Sequence, residues 1–445
     1  MPRPSRWLLL LVSAAALCAA GPAEDRLARF NKVKFGMFIH WGPYSLASVE
    51  ASWPIMVPGS WGISEPDYRA LAARFKPAKF DPVSWVRLAR AAGQRYMVLT
   101  SKHHDGFCMF DSAYTSYKVT QNGGKDLVAQ LAAACKAEKM PFGLYYSPPD
   151  MNHAGFRDTS RPARENWQGQ PDRPEWPLYL DYMEMQLREL LHRYGDLWVL
   201  WFDGLGNQQK YDPRRFHNLI RETQPGALIN NRLGLDGDYD TPEQFVPGFV
   251  PTRSSKVELK GLEAGEKNRP DLAAKVPDPS DFRPWESCMT INDTWAYNKN
   301  DRKFKSTEEL VRTLIEVASK GGNLLLNVGP DPDGVIQPEF EERLRGIGKW
   351  LEVNGEAIYG TTYGLVQGAP GLRFTTKGKM LYLHVLDWPA NGRIFVPRLP
   401  ARVESVLMLE TGRPLEYAQK GDLAEIRVPP AAPDPVATVV AIKLK

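Results

Sequence analysis

The chain has 445 residues, 43% of them hydrophobic, with 56 Lys and Arg against 52 Asp and Glu, which is enough for one large domain and a smaller one beside it. Its net charge of +4 comes without a Lys/Arg run able to neutralise a row of phosphates, which speaks against a nucleic-acid partner. No apolar stretch reaches the roughly 18 residues of a membrane span.

Residues 1–20 read as an export signal. Arg3 and Arg6 supply the charge, Trp7 to Ala16 the apolar stretch, and small residues run on to Ala20, so cleavage is expected between Ala20 and Ala23. Glu24 and Asp25 follow at once, which suits a removed leader better than an anchor, and Leu17 disfavours a lipid anchor on Cys18. The mature protein is therefore expected in the periplasm, outside the cell or in a lysosome. The remaining Cys108, Cys135 and Cys288 are odd in number and widely spaced, a pattern that argues against a disulfide framework and against a cysteine metal site.

From about residue 30 to 360, short apolar runs alternate with helical patterns, the mark of a parallel sheet with crossover helices. Strands are expected over Phe35–His40, Arg95–Ser101, Pro141–Ser147, Leu197–Phe202, Ala227–Asn230, Met289–Ile291 and Asn323–Val328. Asp81 with Pro82 opens one helix that Gly93 closes, and Ser306 with Glu309 makes a capping box. Seven or eight such units suggest a barrel over 24–360. The polar, Pro- and Gly-rich stretch Pro251–Arg283 reads as an excursion from its rim. After Gly360, alternating stretches such as Leu381–Val385 suggest a small antiparallel β domain over 361–445.

In such a barrel the reacting groups stand at the carboxyl ends of the strands. The run Leu197–Phe202 ends in Asp203-Gly204, and alternation puts Trp201 and Asp203 on one face, an indole beside a carboxylate; Asp-Gly is also an ordinary turn. Lys102-His103-His104-Asp105 could hold a metal, bind a polyol or cap a loop. Adjacent strand residues point to opposite faces, so one ion shared by His103 and His104 is disfavoured against sugar binding. His40-Trp41-Gly42 ends the first strand, with Glu50 and Trp53 in the loop beyond; acids beside aromatic rings suit a carbohydrate. Asn230-Asn231-Arg232 could clamp substrate or pair with a carboxylate. Glycoside cleavage needs two carboxyl groups in different environments, which Asp203 with either Glu243 or Glu286 supplies.

Taken together, Phe35-Gly36-Met37-Phe38-Ile39-His40-Trp41-Gly42, Lys102-His103-His104-Asp105-Gly106-Phe107, Gly143-Leu144-Tyr145, Trp201-Phe202-Asp203-Gly204 and Gly321 to Pro330 resemble, in order, the signature segments of glycoside hydrolase family 29, the α-L-fucosidases. The resemblance implies a (β/α)8-like, TIM-type barrel followed by a C-terminal antiparallel β-sandwich. It implies no metal and no cofactor, a fucosylated glycan or oligosaccharide as substrate, and a retaining mechanism through a covalent fucosyl-enzyme. Asp203 matches the nucleophile, and His40, His103, His104, Tyr145, Trp201 and Arg232 match the fucose-binding positions, with Glu50 and Trp53 as an acid-plus-Trp pair. Glu243 takes the acid/base place, with Glu286 as runner-up. Alternatives are an α-L-galactosidase-like enzyme, a metal-dependent hydrolase using His103, His104 and Asp105, and a non-catalytic sugar-binding protein.

Overall fold

The computed structural model describes residues 22–57, 61–204, 208–255, 277–365 and 370–445. The export segment with Cys18 lies outside them. Strands β1 (Phe35–Ile39), β2 (Met97–Lys102), β3 (Phe142–Tyr146), β4 (Val199–Phe202), β5 (Leu228–Ile229), β6 (Glu286–Thr290) and β7 (Asn323–Val328) lie parallel in the order β5-β4-β3-β2-β1-β7-β6. Parallel neighbours need crossovers, supplied by helices such as Pro82–Ala91, Trp176–Arg193 and Thr307–Ser319. Their starts are fixed locally: Asp81 accepts from the amides of Val83 and Ser84 at 3.0 and 3.2 Å, and Ser306 from that of Glu309 at 3.0 Å.

Alternation divides each strand between two cores. Met37, Ile39, Met97, Leu99, Leu144, Leu200, Leu324 and Leu326 join the core under the helices, while Phe38, Val98, Tyr145, Val199, Trp201 and Leu325 join an inner cluster. The strands fall where the apolar runs place them, except that β6 begins at Glu286 instead of Met289. That shift takes Glu286 into the strand.

The sheet is open, with seven strands where the resemblance implies a ring of eight. Between its edges runs the irregular segment Asp238–Gln244. The Asp238 amide donates to Ile229 at 2.7 Å on one side, and on the other the amides of Glu286 and Cys288 donate to Asp240 and Pro242 at 2.8 and 3.1 Å. Pro242 has no amide to give, which breaks any regular ladder here. Most of the excursion expected over Pro251–Arg283 lies outside the described residues. Its ends pair, Arg253 donating to Asp281 at 2.8 Å and Arg283 to Pro251 at 3.1 Å.

Beyond Gly360 the strands β8 (Thr362–Tyr363), β9 (Leu372–Lys377), β10 (Met380–Val385), β11 (Arg393–Val396), β12 (Val403–Met408), β13 (Tyr417–Lys420), β14 (Leu423–Arg427) and β15 (Thr438–Leu444) form a five-stranded antiparallel sheet, β12-β15-β10-β9-β8, and a three-stranded one, β11-β14-β13. Leu383 and Val440 of the first share one core with Ile394 and Ile426 of the second. Arg312 ties these sheets to the parallel one, donating to the carbonyls of Leu386 and Val436 at 2.9 and 3.1 Å. Among the described residues the three cysteines are free and buried, and no helix is long and apolar enough to cross a membrane.

Candidate active site

A pocket opens at the carboxyl ends of the parallel strands, lined by Phe38, His40, Trp53, His103, His104, Tyr145, Trp201, Asp203, Arg232, Glu243, Cys288 and Trp295. Inward alternation explains much of this lining: Phe38, Tyr145 and Trp201 point in, and His40 and Asp203 continue the same faces one step past their strands.

Asp203 stands among donors. The Tyr145 hydroxyl donates to Oδ2 at 2.9 Å, Arg232 Nη1 to Oδ1 at 3.0 Å, and His104 Nε2 lies 3.5 Å from Oδ2. The same Arg232 nitrogen donates to Glu243 Oε2 at 2.9 Å. Two carboxylate oxygens on one nitrogen can be no further apart than the two bonds laid end to end, about 6 Å; the carboxyl pair of a retaining glycosidase is separated by about 5–5.5 Å. Arg232 is itself fixed, with Nε and Nη2 donating to the Thr241 hydroxyl and carbonyl at 2.8 and 3.0 Å and its guanidinium 4.7 Å from the Trp201 ring centroid. Burial opposes its charge, but the facing Glu243 and Asp203 outweigh that and push its pKa further up.

Burial keeps two of the histidines neutral: His40 is pushed down to about 4, and His103 well below its usual value, aided there by His104 and His40. Asn327 donates its amide to the Trp295 carbonyl at 2.7 Å, so its oxygen faces His40 Nδ1, also at 2.7 Å. The His40 proton therefore sits on Nδ1, and Nε2 is left to accept from a ligand hydroxyl. The Ser147 hydroxyl likewise donates to the Pro149 carbonyl at 2.7 Å and so accepts from His104 Nδ1.

The expectation that His103 and His104 face opposite ways does not hold. β2 ends at Lys102, the two histidines lie in the turn beyond it where strand alternation no longer applies, and their rings sit 4.2 Å apart in one pocket. With Asp203 they bring three potential ligand atoms within 4.8 Å of one another, a group that could hold a metal ion. Lys102 and Asp105 of the same motif stay out of the pocket. Lys102 forms a buried ion pair with Asp150 at 3.0 Å, and Asp105, pushed up to about 6 by burial, accepts from the Tyr68 hydroxyl at 2.8 Å.

Trp53 lines the pocket, but Glu50 does not. Both Glu50 oxygens are taken by backbone amides, those of Trp295, Ala51 and Ala296 at 2.8, 2.9 and 3.1 Å, so this acid holds the loop that carries Trp295. Trp41 packs against Phe75, Phe80 and Trp85 beneath the helices. Glu286 lies under the floor, 1% exposed, with Trp201 Nε1 donating to it at 3.1 Å. Three lining residues were not singled out as site residues in the sequence. Phe38 was legible as an inward position of β1, whereas Cys288 precedes the stretch Met289–Ile291 expected as a strand and Trp295 follows β6 in an irregular stretch with no periodic signal.

The α-L-fucosidase family model matches residues 22–356. The chain belongs to glycoside hydrolase family 29, the α-L-fucosidases. It is 31% identical to the plasma α-L-fucosidase of Homo sapiens over 91% of this chain and 86% of that one, and 30% identical to the α-L-fucosidase of Branchiostoma floridae over 96% of both. Among solved structures, α-L-fucosidase isoenzyme 1 from Paenibacillus thiaminolyticus superposes with a TM-score of 0.82 at 34% identity, covering 96% of this chain and all of that one (100%). The Bacteroides thetaiotaomicron enzyme, a trapped covalent intermediate with 2-fluoro-fucosyl fluoride in a Glu-to-Gln variant, superposes with a TM-score of 0.78 at 25% identity over 96% of this chain and 97% of that one. The fucosidase pocket thus carries one carboxylate on β4's end and a second across Arg232.

Proposed function

We propose that this enzyme removes terminal α-L-fucosyl groups from glycans with retention, Asp203 attacking the anomeric carbon and Glu243 serving first as acid and then as base. The observation that carries this reading is the sharing of one Arg232 nitrogen by Asp203 and Glu243, which keeps the two carboxyl groups close together, within a limit that includes the separation a double displacement uses. In the first step the Asp203 oxygen bonds to C1 while the bond to the leaving oxygen breaks and that oxygen takes the Glu243 proton. In the second, Glu243 takes a proton from water, whose oxygen displaces Asp203. His40, His103 and His104 meet the sugar hydroxyls, and Phe38, Trp201 and Trp295 form the apolar wall that suits a C6 methyl over the hydroxymethyl of L-galactose. The trapped intermediate of the Bacteroides relative supports the covalent step. The enzyme is read as exported, in keeping with its plasma relative, and as a catalytic barrel over 24–360 followed by a β-sandwich over 361–445.

NMR of the first-formed sugar from an aryl α-L-fucoside should show α-L-fucose before mutarotation; initial β-fucose would end the retaining assignment. A second reading, metal-assisted hydrolysis, rests on the His103, His104 and Asp203 cluster. Prolonged chelation should leave turnover unchanged, since Arg232 already supplies the positive charge beside Asp203. Loss of activity on chelation and its return with added Zn²⁺ would favour the metal.

A further inference from the structure

We propose that Glu286 is a positioning residue, its buried carboxyl group setting the Trp201 indole and, through that ring, the two donors that aim Asp203. This deepens the reading of Asp203 and Glu243 as the reacting pair and rests on it.

The chain of contacts is short. Glu286, at the start of β6, accepts from Trp201 Nε1 at 3.1 Å on one oxygen and from the Tyr96 hydroxyl on the other; the Tyr239 hydroxyl bonds to it as well. These three donors come from three separate elements: β4, the lead into β2 and the irregular segment Asp238–Gln244. The indole cannot rotate without leaving a buried N–H unpaired. Its ring stacks on Tyr145 at 5.6 Å and 16° and lies 4.7 Å under the Arg232 guanidinium. Tyr145 and Arg232 are the groups that donate to the two Asp203 oxygens. A displacement of the indole therefore moves both at once, and misplacement of a reacting group by about 1 Å costs on the order of 10²-fold in rate.

Glu286 is not placed to act on substrate itself. It is 1% exposed and outside the pocket lining. Its titratable neighbours are Tyr96, Tyr239, Cys288 and Arg232. Burial lifts its pKa to about 7 against their hydrogen bonds and the Arg232 charge, so it is neutral below that pH and ionised above. Ionisation puts a charge beneath Trp201 that Arg232 must share with Asp203.

The experiment compares kcat and KM of Glu286→Ala, Glu286→Gln and Tyr96→Phe with the parent enzyme, across pH and on aryl fucosides with good and poor leaving groups. Glu286→Ala should lower kcat by on the order of 10²-fold, equally for every leaving group, with no rescue by azide. Tyr96→Phe should follow the same pattern with a smaller loss. Glu286→Gln keeps an acceptor but no charge; it should stay closest to the parent and lack the step near pH 7 expected in the parent's kcat profile. Parental kcat, KM and pH profile in Glu286→Ala and Glu286→Gln would overturn the proposal. Should those variants not fold, Tyr96→Phe and Tyr239→Phe remove one hydroxyl each, and parental kcat in both would overturn it equally. A loss of kcat/KM concentrated on poor leaving groups, with azide raising the steady rate on the good ones, would make Glu286 the acid/base and overturn this proposal together with the role of Glu243. A uniform loss here, with no leaving-group dependence in Glu243→Ala, sinks the Glu243 reading alone.

Discussion

Asp203→Asn is expected to fold as the parent does and to lose turnover of an activated aryl fucoside by on the order of 10⁴-fold or more. The amide keeps the size of the side chain: its one oxygen, in the place of Oδ1, can still accept from Arg232 Nη1, now at 3.0 Å, and its NH2, in the place of Oδ2, can donate to the Tyr145 hydroxyl, now at 2.9 Å. Arg232 is not left as an unpaired buried charge, because Glu243 and Thr241 still hold it. What is lost is the chemistry, since an amide oxygen is too weak a nucleophile to form the glycosyl ester. Gly204 makes the new residue part of an Asn-Gly sequence, the setting in which deamidation to Asp is easiest, so activity that grows on storage marks regenerated parent enzyme. Asp203→Ala closes that route. It also opens space for azide, which should attack C1 from the vacated side and give the inverted β-L-fucosyl azide. Thermal unfolding of both variants checks the fold, and near-parental turnover in freshly purified protein would remove Asp203 from the reaction.

Much of this site was legible because strand geometry is periodic. Buried apolar runs fixed β1, β3, β4 and β7, and counting in twos from Trp201 placed Asp203 on the inner face. The signature segments then added what periodicity cannot: His103 and His104 share a pocket because the chain turns after Lys102, where alternation no longer applies. Glu50 shows the reverse limit. Its match to a family position named the residue type, but three backbone amides from its own and the Trp295 loop claim both oxygens, a long-range arrangement that leaves no local mark. The segment Asp238–Gln244 between the sheet's edges failed to read as a strand for a physical reason as well, since Pro242 has no amide and the Asp236-Gly237 pair just before the segment is a poor strand former, which denies it a continuous ladder. Glu286 reads in the sequence as lying just before the apolar strand Met289–Ile291; in the structure the strand starts earlier and includes it.

The division of labour between the two glutamates gives the second large effect. A general acid must first reach the glycosidic oxygen, and geometry decides before acidity does. Glu243 lines the pocket with its side chain 28% exposed and is anchored by Arg232 at 2.9 Å, while both Glu286 oxygens are occupied beneath Trp201. Glu243→Ala should therefore lose on the order of 10² to 10⁴-fold in kcat/KM with a poor leaving group and far less with an acidic phenol, which departs without a proton. With the good leaving group the fucosyl-enzyme should accumulate, visible as a burst of phenol, because water now lacks its base. Azide needs none, so adding it should raise the steady rate and yield α-L-fucosyl azide, of the same configuration as the substrate and opposite to the product from Asp203→Ala. Arg232 keeps Asp203 and Thr241 as partners, so the variant retains a compensated charge at the site. Equal losses across leaving groups, with no azide product in a folded Glu243→Ala, would take Glu243 out of the proton transfer.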